Sequence, residues 1–165
     1  MEFKELLQVG EHETLNFFFA GLYKKVPAGV VTRDETVHVA SVLASGSLTS
    51  RYDTESIPTL TDLSEVFDEF FIKLKDSFDQ ELLEMAGAQI LLLNGFFRGQ
   101  MRRRHNVRWY DKIGSDFYER AAAHTTSARR GTLFCNMSRN FPIWTMICWE
   151  LSQEMRESRY LLYLE

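Results

Sequence analysis

The stretch ELLEMAGAQILLLNGFF, residues 81 to 97, decides the fold. Wound as a helix it carries apolar side chains around most of its circumference, and after Glu84 only Gln89 and Asn94 interrupt them. A helix that is apolar on nearly every side is enclosed by its neighbours rather than laid on the surface of a core. Its uninterrupted apolar runs are too short to cross a bilayer, which takes about 20 residues. Gly87 and Gly95 each cost about 1 kcal/mol relative to alanine inside a helix, and close packing of a neighbouring helix would offset that cost. The expectation is a central, buried helix.

Upstream of it, Leu63, Phe67, Phe70, Leu74, Phe78 and Leu82 recur at steps of three or four, with Asp62 and Glu65 at the end of the helix where the dipole favours negative charge. This predicts a long amphipathic helix that either runs on into the central one or breaks near Asp79. The segment SGSLTSRYDTESIPT, 45–59, is polar, carries Gly46 and Pro58 and lacks an apolar period, so it reads as a long surface loop. Leu15, Phe18, Phe19, Leu22 and Val26 predict a first helix from about residue 12 to about residue 25, ended by Pro27-Ala28-Gly29. Thr32 and Glu35 have the spacing of a capping box and predict a second helix running to about Leu43.

Downstream, Trp109, Ile113, Phe117 and Ala121 define another amphipathic helix that ends near His124. TTSARRG, 125–131, reads as a second loop. Leu133, Phe134, Met137 and Phe141 predict a short helix, and Pro142 starts or kinks a last one with Ile143, Ile147, Leu151 and Met155 on its inner face. Period-two runs long enough for a sheet do not occur. The sequence therefore predicts an all-α, single-domain bundle of about six helices spanning residues 1–165, with one buried helix at its centre.

Composition agrees. A chain of 165 residues, 45% hydrophobic and with thirteen Phe, supplies enough large apolar side chains for a core without covalent staples. Cys135 and Cys148 sit in apolar surroundings, which suits buried thiols in a reducing compartment. With no basic-then-apolar leader pattern at the start, the expected location is the cytoplasm.

The segments LLEMAGAQILLLNGFFRGQMRRRHNVRWYDKIGSDFYERAA and LFCNMSRNFPIWTMICWELSQEMRE lie between residues 82 and 157. Here the chain resembles a family of small bacterial proteins with no assigned function. The resemblance is carried by Gly95-Phe96-Phe97, Arg102 to Arg104, Trp109-Tyr110, Ile113-Gly114 and Phe117-Tyr118. It departs at Arg98, where that family tends to show Pro, and at Trp109, where Tyr is more usual. It implies an all-helical bacterial protein and brings no catalytic residues with it.

Chemical signatures are sparse. Glu35 and His38 have the Glu-x-x-His spacing used in di-iron bundles, but those need a second such pair and two more carboxylates. His12, His38, His105 and His124 show no spacing that singles out a haem ligand, and Cys135, Cys148 and His124 lack zinc-site spacing. No nucleophile elbow, phosphate-binding loop or dinucleotide fingerprint is present. The sequence thus implies no metal, no cofactor and no catalytic residue.

What stands out is charge. Arg98, Arg102, Arg103, Arg104 and Arg108 fall within eleven positions of a chain whose net charge is −4, and Trp109 and Tyr110 follow directly. Between Asp62 and Glu84 lie eight acidic residues against Lys73 and Lys75. The seven residues Arg98, Arg102, Arg103, Arg104, Arg108, Trp109 and Tyr110 are the expected recognition surface, and Arg129 and Arg130 would enlarge it if they lay on the same side. The expected function is a non-catalytic helical module that binds protein, copies of itself included. Binding of nucleic acid or another polyanion through the arginine turn ranks second, because the chain as a whole is acidic. An apolar ligand held among Phe, Trp and Met in the bundle ranks third.

Overall fold

The computed structural model describes residues 3–52, 79–103 and 106–157. The helices in chain order are α1 (Phe3–Tyr23), α2 (Arg33–Tyr52), α3 (Gln80–Leu91), a π-helical turn (Leu92–Phe96), α4 (Arg98–Arg102), α5 (Val107–His124), α6 (Ala128–Arg139) and α7 (Phe141–Glu157). Among the described residues there is no strand, and no helix is long and apolar enough to cross a membrane. The all-α bundle read from the sequence is the fold observed. The amphipathic helix expected over residues 62–78 lies outside the described residues.

The central helix is where the sequence puts it. Asp79 caps α3 by accepting from the backbone N–H of Glu81 at 3.0 Å, so a helix begins here and the break near Asp79 is the alternative realised. Leu83, Ala86, Gly87, Ile90, Leu91, Asn94 and Gly95 are buried along α3 and the π turn, although Leu82 and Met85 keep an outer face open over the first two turns. α3 packs chiefly on α5, and the π turn on α7. Both glycines serve these contacts. A Cβ on Gly87 would stand 2.9 Å from the Tyr118 ring, and one on Gly95 would stand 2.9 Å from Cys148 Cβ and 3.3 Å from Thr145 Cα. Neither distance accommodates a methyl group, so a missing side chain here is what lets α5 and α7 approach.

Around this axis α1 packs on α2 and α5 on α6. The core is filled by Phe18, Leu22, Leu43, Tyr118, Phe134, Phe141 and Trp144, each at most 4% exposed. At the start of α2 the capping box forms as predicted: Thr32 N–H donates to Glu35 Oε2 at 2.6 Å, and Glu35 N–H donates to Thr32 Oγ1 at 3.2 Å. Glu35 is fully buried, and its other carboxylate oxygen accepts from Asn140 Nδ2 at 2.8 Å and Trp144 Nε1 at 3.1 Å. One carboxylate therefore caps α2 and ties it to the corner between α6 and α7. Burying a carboxylate is tolerable only with such saturation of its lone pairs.

Several boundaries differ from expectation. α1 begins near residue 3 rather than 12. α2 continues through 45–52, where a loop was expected: Gly46 lies against the Leu92 side chain, and this tertiary contact outweighs the weak helix propensity of the Ser- and Gly-rich stretch. α6 begins at Ala128, capped by Ser127 Oγ accepting from Arg130 N–H at 3.3 Å, so the second loop shrinks to three residues, Thr125 to Ser127. Pro142 sits in the first turn of α7 and starts it, where its lack of an N–H is harmless. Cys148 is buried, which pushes its thiol up to about 12, whereas Cys135 is exposed instead of buried.

Candidate recognition surface

The π turn organises the arginine segment. Its extra residue per turn closes with Phe97 N–H donating to Leu92 O at 3.2 Å and leaves Asn94 fully buried. Such single π turns are frequent at functional positions. Asn94 Nδ2 donates to the carbonyl of Val107 at 2.8 Å and, closely, to Asp111 Oδ1. The Arg98 guanidinium donates to the Asn94 carbonyl at 3.1 Å and lies 3.6 Å from Asp111 Oδ2, both side chains being only 13% and 15% exposed. Asp111 is thus held at both oxygens, one toward the π turn and one toward α4. Burial pushes its carboxyl above the ordinary range, and this wins over the opposing influence of the Asn94 hydrogen bond, the Arg98 charge and a Thr145 hydrogen bond.

This anchoring divides the seven expected surface residues. Arg98 turns inward to Asp111, and Tyr110 is 8% exposed and part of the core. Arg102 closes α4, Arg103 follows it, and Arg108 occupies the first turn of α5; all three are exposed. Among the described residues none of these three has an ion-pair partner. Trp109 is 53% exposed, with its indole edge-on to Tyr110 at 5.0 Å between ring centroids. Arg104 lies outside the described residues. Of the predicted apolar stripe of α5, Ile113, Phe117 and Ala121 are buried as expected; the buried face also takes in Tyr110, Gly114 and Tyr118, and Trp109 lies outside it.

The first turn of α5 carries no acidic residue. Asn106 caps it, its side-chain oxygen accepting from the N–H groups of Arg108 at 3.1 Å and Trp109 at 3.3 Å. A guanidinium at the positive end of a helix dipole is disfavoured, so Arg108 is not where helix stability would put it. Arg129 and Arg130 do not extend the surface as free cations. Arg129 pairs with Asp34 at 3.0 Å, and Arg130 pairs with Glu84 at 2.8 Å while covering the Phe134 ring.

The remaining candidates are occupied in other ways. His38 Nε2 lies against the Tyr118 hydroxyl while Glu35 serves Thr32, Asn140 and Trp144, so the Glu-x-x-His pair is split between two different networks. Among the described residues no three His, Cys, Asp or Glu side chains form a group that could hold a metal ion. Two open depressions mark the surface: one of about 220 Å³ between Thr32, Asp34, Arg129 and Asn136, and one of about 450 Å³ lined by Phe19, Tyr23, Val26 and Val31. Sequence reasoning missed Asn94 and Asp111 as the residues that position the turn. The signal for the first was present, since an amide within LLLNGFF has to find partners once buried.

Compared with protein-family models, with curated proteins and with solved structures, the chain matches none.

Proposed function

We propose that this chain is a non-catalytic helical module that binds an acidic protein surface, copies of itself included, through Arg102, Arg103, Arg108 and Trp109. The observation that carries the reading is the contrast within one short segment. Arg98, Arg129 and Arg130 are each paired with a carboxylate of the same chain, whereas Arg102, Arg103 and Arg108 face solvent without one among the described residues. An exposed indole beside guanidiniums is a composition enriched at protein interfaces. An acidic counterpart exists in the chain's own sequence, in the six carboxylates between Asp62 and Glu81 that are left when Asp79, which caps α3, is set aside, Glu84 being already paired with Arg130.

Charge of this kind governs orientation and association rate and weakens with salt. Light scattering at low and high salt tests self-association, and affinity for fluorescein-labelled poly-L-glutamate tests recognition of carboxylates. The triple variant R102E/R103E/R108E is expected to lose both. A wild-type protein that stays monomeric and ignores poly-L-glutamate at low salt would overturn the proposal, and retention on heparin in that case would favour sulfate or phosphate polyanions instead.

A further inference from the structure

We infer that Asp111 is an internal counter-anion that holds Arg98 in reserve, and that neutralising Asp111 releases a fourth guanidinium to the recognition surface. The inference rests on the reading of Arg102, Arg103 and Arg108 as the cations that meet an acidic partner.

Arg98 opens α4, one turn before Arg102, so its backbone already lies beside the exposed cations. Only its side chain is turned away, toward Asp111 and the Asn94 carbonyl. The pair is a loose one for its burial. At 3.6 Å the guanidinium makes ion contact without a close charge-assisted hydrogen bond, which would be about 2.7–2.9 Å. Asp111 spends its other oxygen on Asn94. Among the described residues the groups facing it from the packed elements are Asn94 in the π turn, Arg98 in α4 and Thr145 in α7, and of these Arg98 is the single charge.

Remove the negative charge and Arg98 becomes an uncompensated cation in a site that is 13% exposed. A neutral partner does not offset desolvation of a guanidinium. Arginine has a long apolar stem that can stay packed while the charged head moves out to water. The head group then joins Arg102, Arg103 and Arg108, and the segment gains one positive charge without any change in the rest of the fold. Asn94 can still hold the turn, because an amide or hydroxyl oxygen at position 111 accepts its hydrogen bond as a carboxylate does.

The test is a double-variant comparison of affinity for poly-L-glutamate over a salt series at pH 7.5. Asp111→Asn is expected to bind roughly threefold to tenfold tighter at low salt, with a logarithmic salt slope steeper by about one, the signature of one further ionic contact. Adding Arg98→Gln to that variant is expected to return both quantities to wild type. If the wild type binds and Asp111→Asn does not gain, or if the gain survives in the double variant, the inference is overturned while the proposed function stands. If the wild type does not bind poly-L-glutamate, the inference is overturned, and the proposed function falls with it when the protein also stays monomeric at low salt. Circular dichroism establishes that each variant is folded, and Asp111→Ser, with a smaller neutral side chain, serves the same comparison should Asp111→Asn not fold.

Discussion

His38 Nε2 and the Tyr118 hydroxyl lie 2.8 Å apart, joining α2 to α5 across 80 positions of sequence. Desolvation, and secondarily the charge of Arg130, push the imidazole down to about 4, so it is neutral in the folded chain at pH 7. Burial and the nearby Glu84 carboxylate raise the phenol well above 10, so Tyr118 keeps its proton. A neutral ring with its lone pair on Nε2 accepts that proton's hydrogen bond. An imidazolium would confront the Arg130 charge, and among the described residues no carboxylate is in hydrogen-bond contact with it.

Acid stability follows from this. In the unfolded chain His38 titrates near 6.5 and in the folded chain near 4. The stabilisation it represents is complete above pH 6.5 and is lost as pH falls from 6.5 to about 4. A shift of this size corresponds to about 3 kcal/mol. Asp111 acts in the opposite sense: its carboxyl is raised in the folded state, so protonation there favours the fold as pH falls toward the ordinary aspartate value. Urea unfolding at pH 7.5 and pH 5.0 is expected to show a loss of stability in the wild type. His38→Gln, which offers Tyr118 an acceptor without a titrating ring, should lose much less over the same interval.

Glu35 gives a second prediction because one side chain serves three donors. In Glu35→Gln the amide has a single acceptor oxygen; directing it to Asn140 and Trp144 sets its NH₂ against the Thr32 N–H. The expected cost is about 1–3 kcal/mol, the penalty of one buried donor left without an acceptor. Glu35→Ala strands all three donors and is expected to cost more than Glu35→Gln. Denaturant unfolding measures both, and the near-ultraviolet dichroism of Trp144 should change in the alanine variant, where the indole loses its acceptor.

At Gly95 the expected effect has the opposite sign to helix propensity. Alanine would favour the helix by about 1 kcal/mol in an open position, but here its methyl group would meet Cys148 Cβ at 2.9 Å and the backbone of Thr145. Backbone cannot swing aside as a flexible side chain does. Gly95→Ala is expected to destabilise by about 1–3 kcal/mol through overpacking between the π turn and α7. An unchanged or higher thermal midpoint would show that α7 can recede.

The fold was legible wherever apolar periodicity met a buried face. The stripe of α1 (Phe18 and Leu22), the Thr32–Glu35 capping box and the inner face of α7 at Ile147 and Leu151 follow from spacing alone. Legibility failed where tertiary packing overrode local preference, as in the Ser-rich end of α2, and at the first turn of α5, where Tyr110 and not Trp109 enters the core. Trp109 and Tyr110 are adjacent aromatics, and helical spacing accommodates either as the first core position of α5; the Asn106 cap sets the register that turns Tyr110 inward. The cluster of arginines was visible, but the division between the inward Arg98 and its exposed neighbours depends on Asp111, thirteen positions away. Nothing local marks Asp111 as that partner.

Trp109 supplies the prediction that separates recognition from folding. Trp109 is 53% exposed, and its ring stands edge-on to Tyr110, which is itself held by the core. Truncation therefore removes little buried area, and Trp109→Ala is expected to unfold within about 0.5 kcal/mol of wild type, as surface substitutions do. If the indole anchors the partner beside Arg102, Arg103 and Arg108, the same variant should weaken poly-L-glutamate binding or self-association by about tenfold, the loss of a typical aromatic anchor of more than 1 kcal/mol. Tyr110→Ala should reverse this pattern, losing about 3–5 kcal/mol of stability as a large aromatic removed from a core. A Trp109→Ala protein that is unchanged in both stability and binding would leave the arginines as the whole of the surface, and an aromatic contribution to recognition would have to be abandoned.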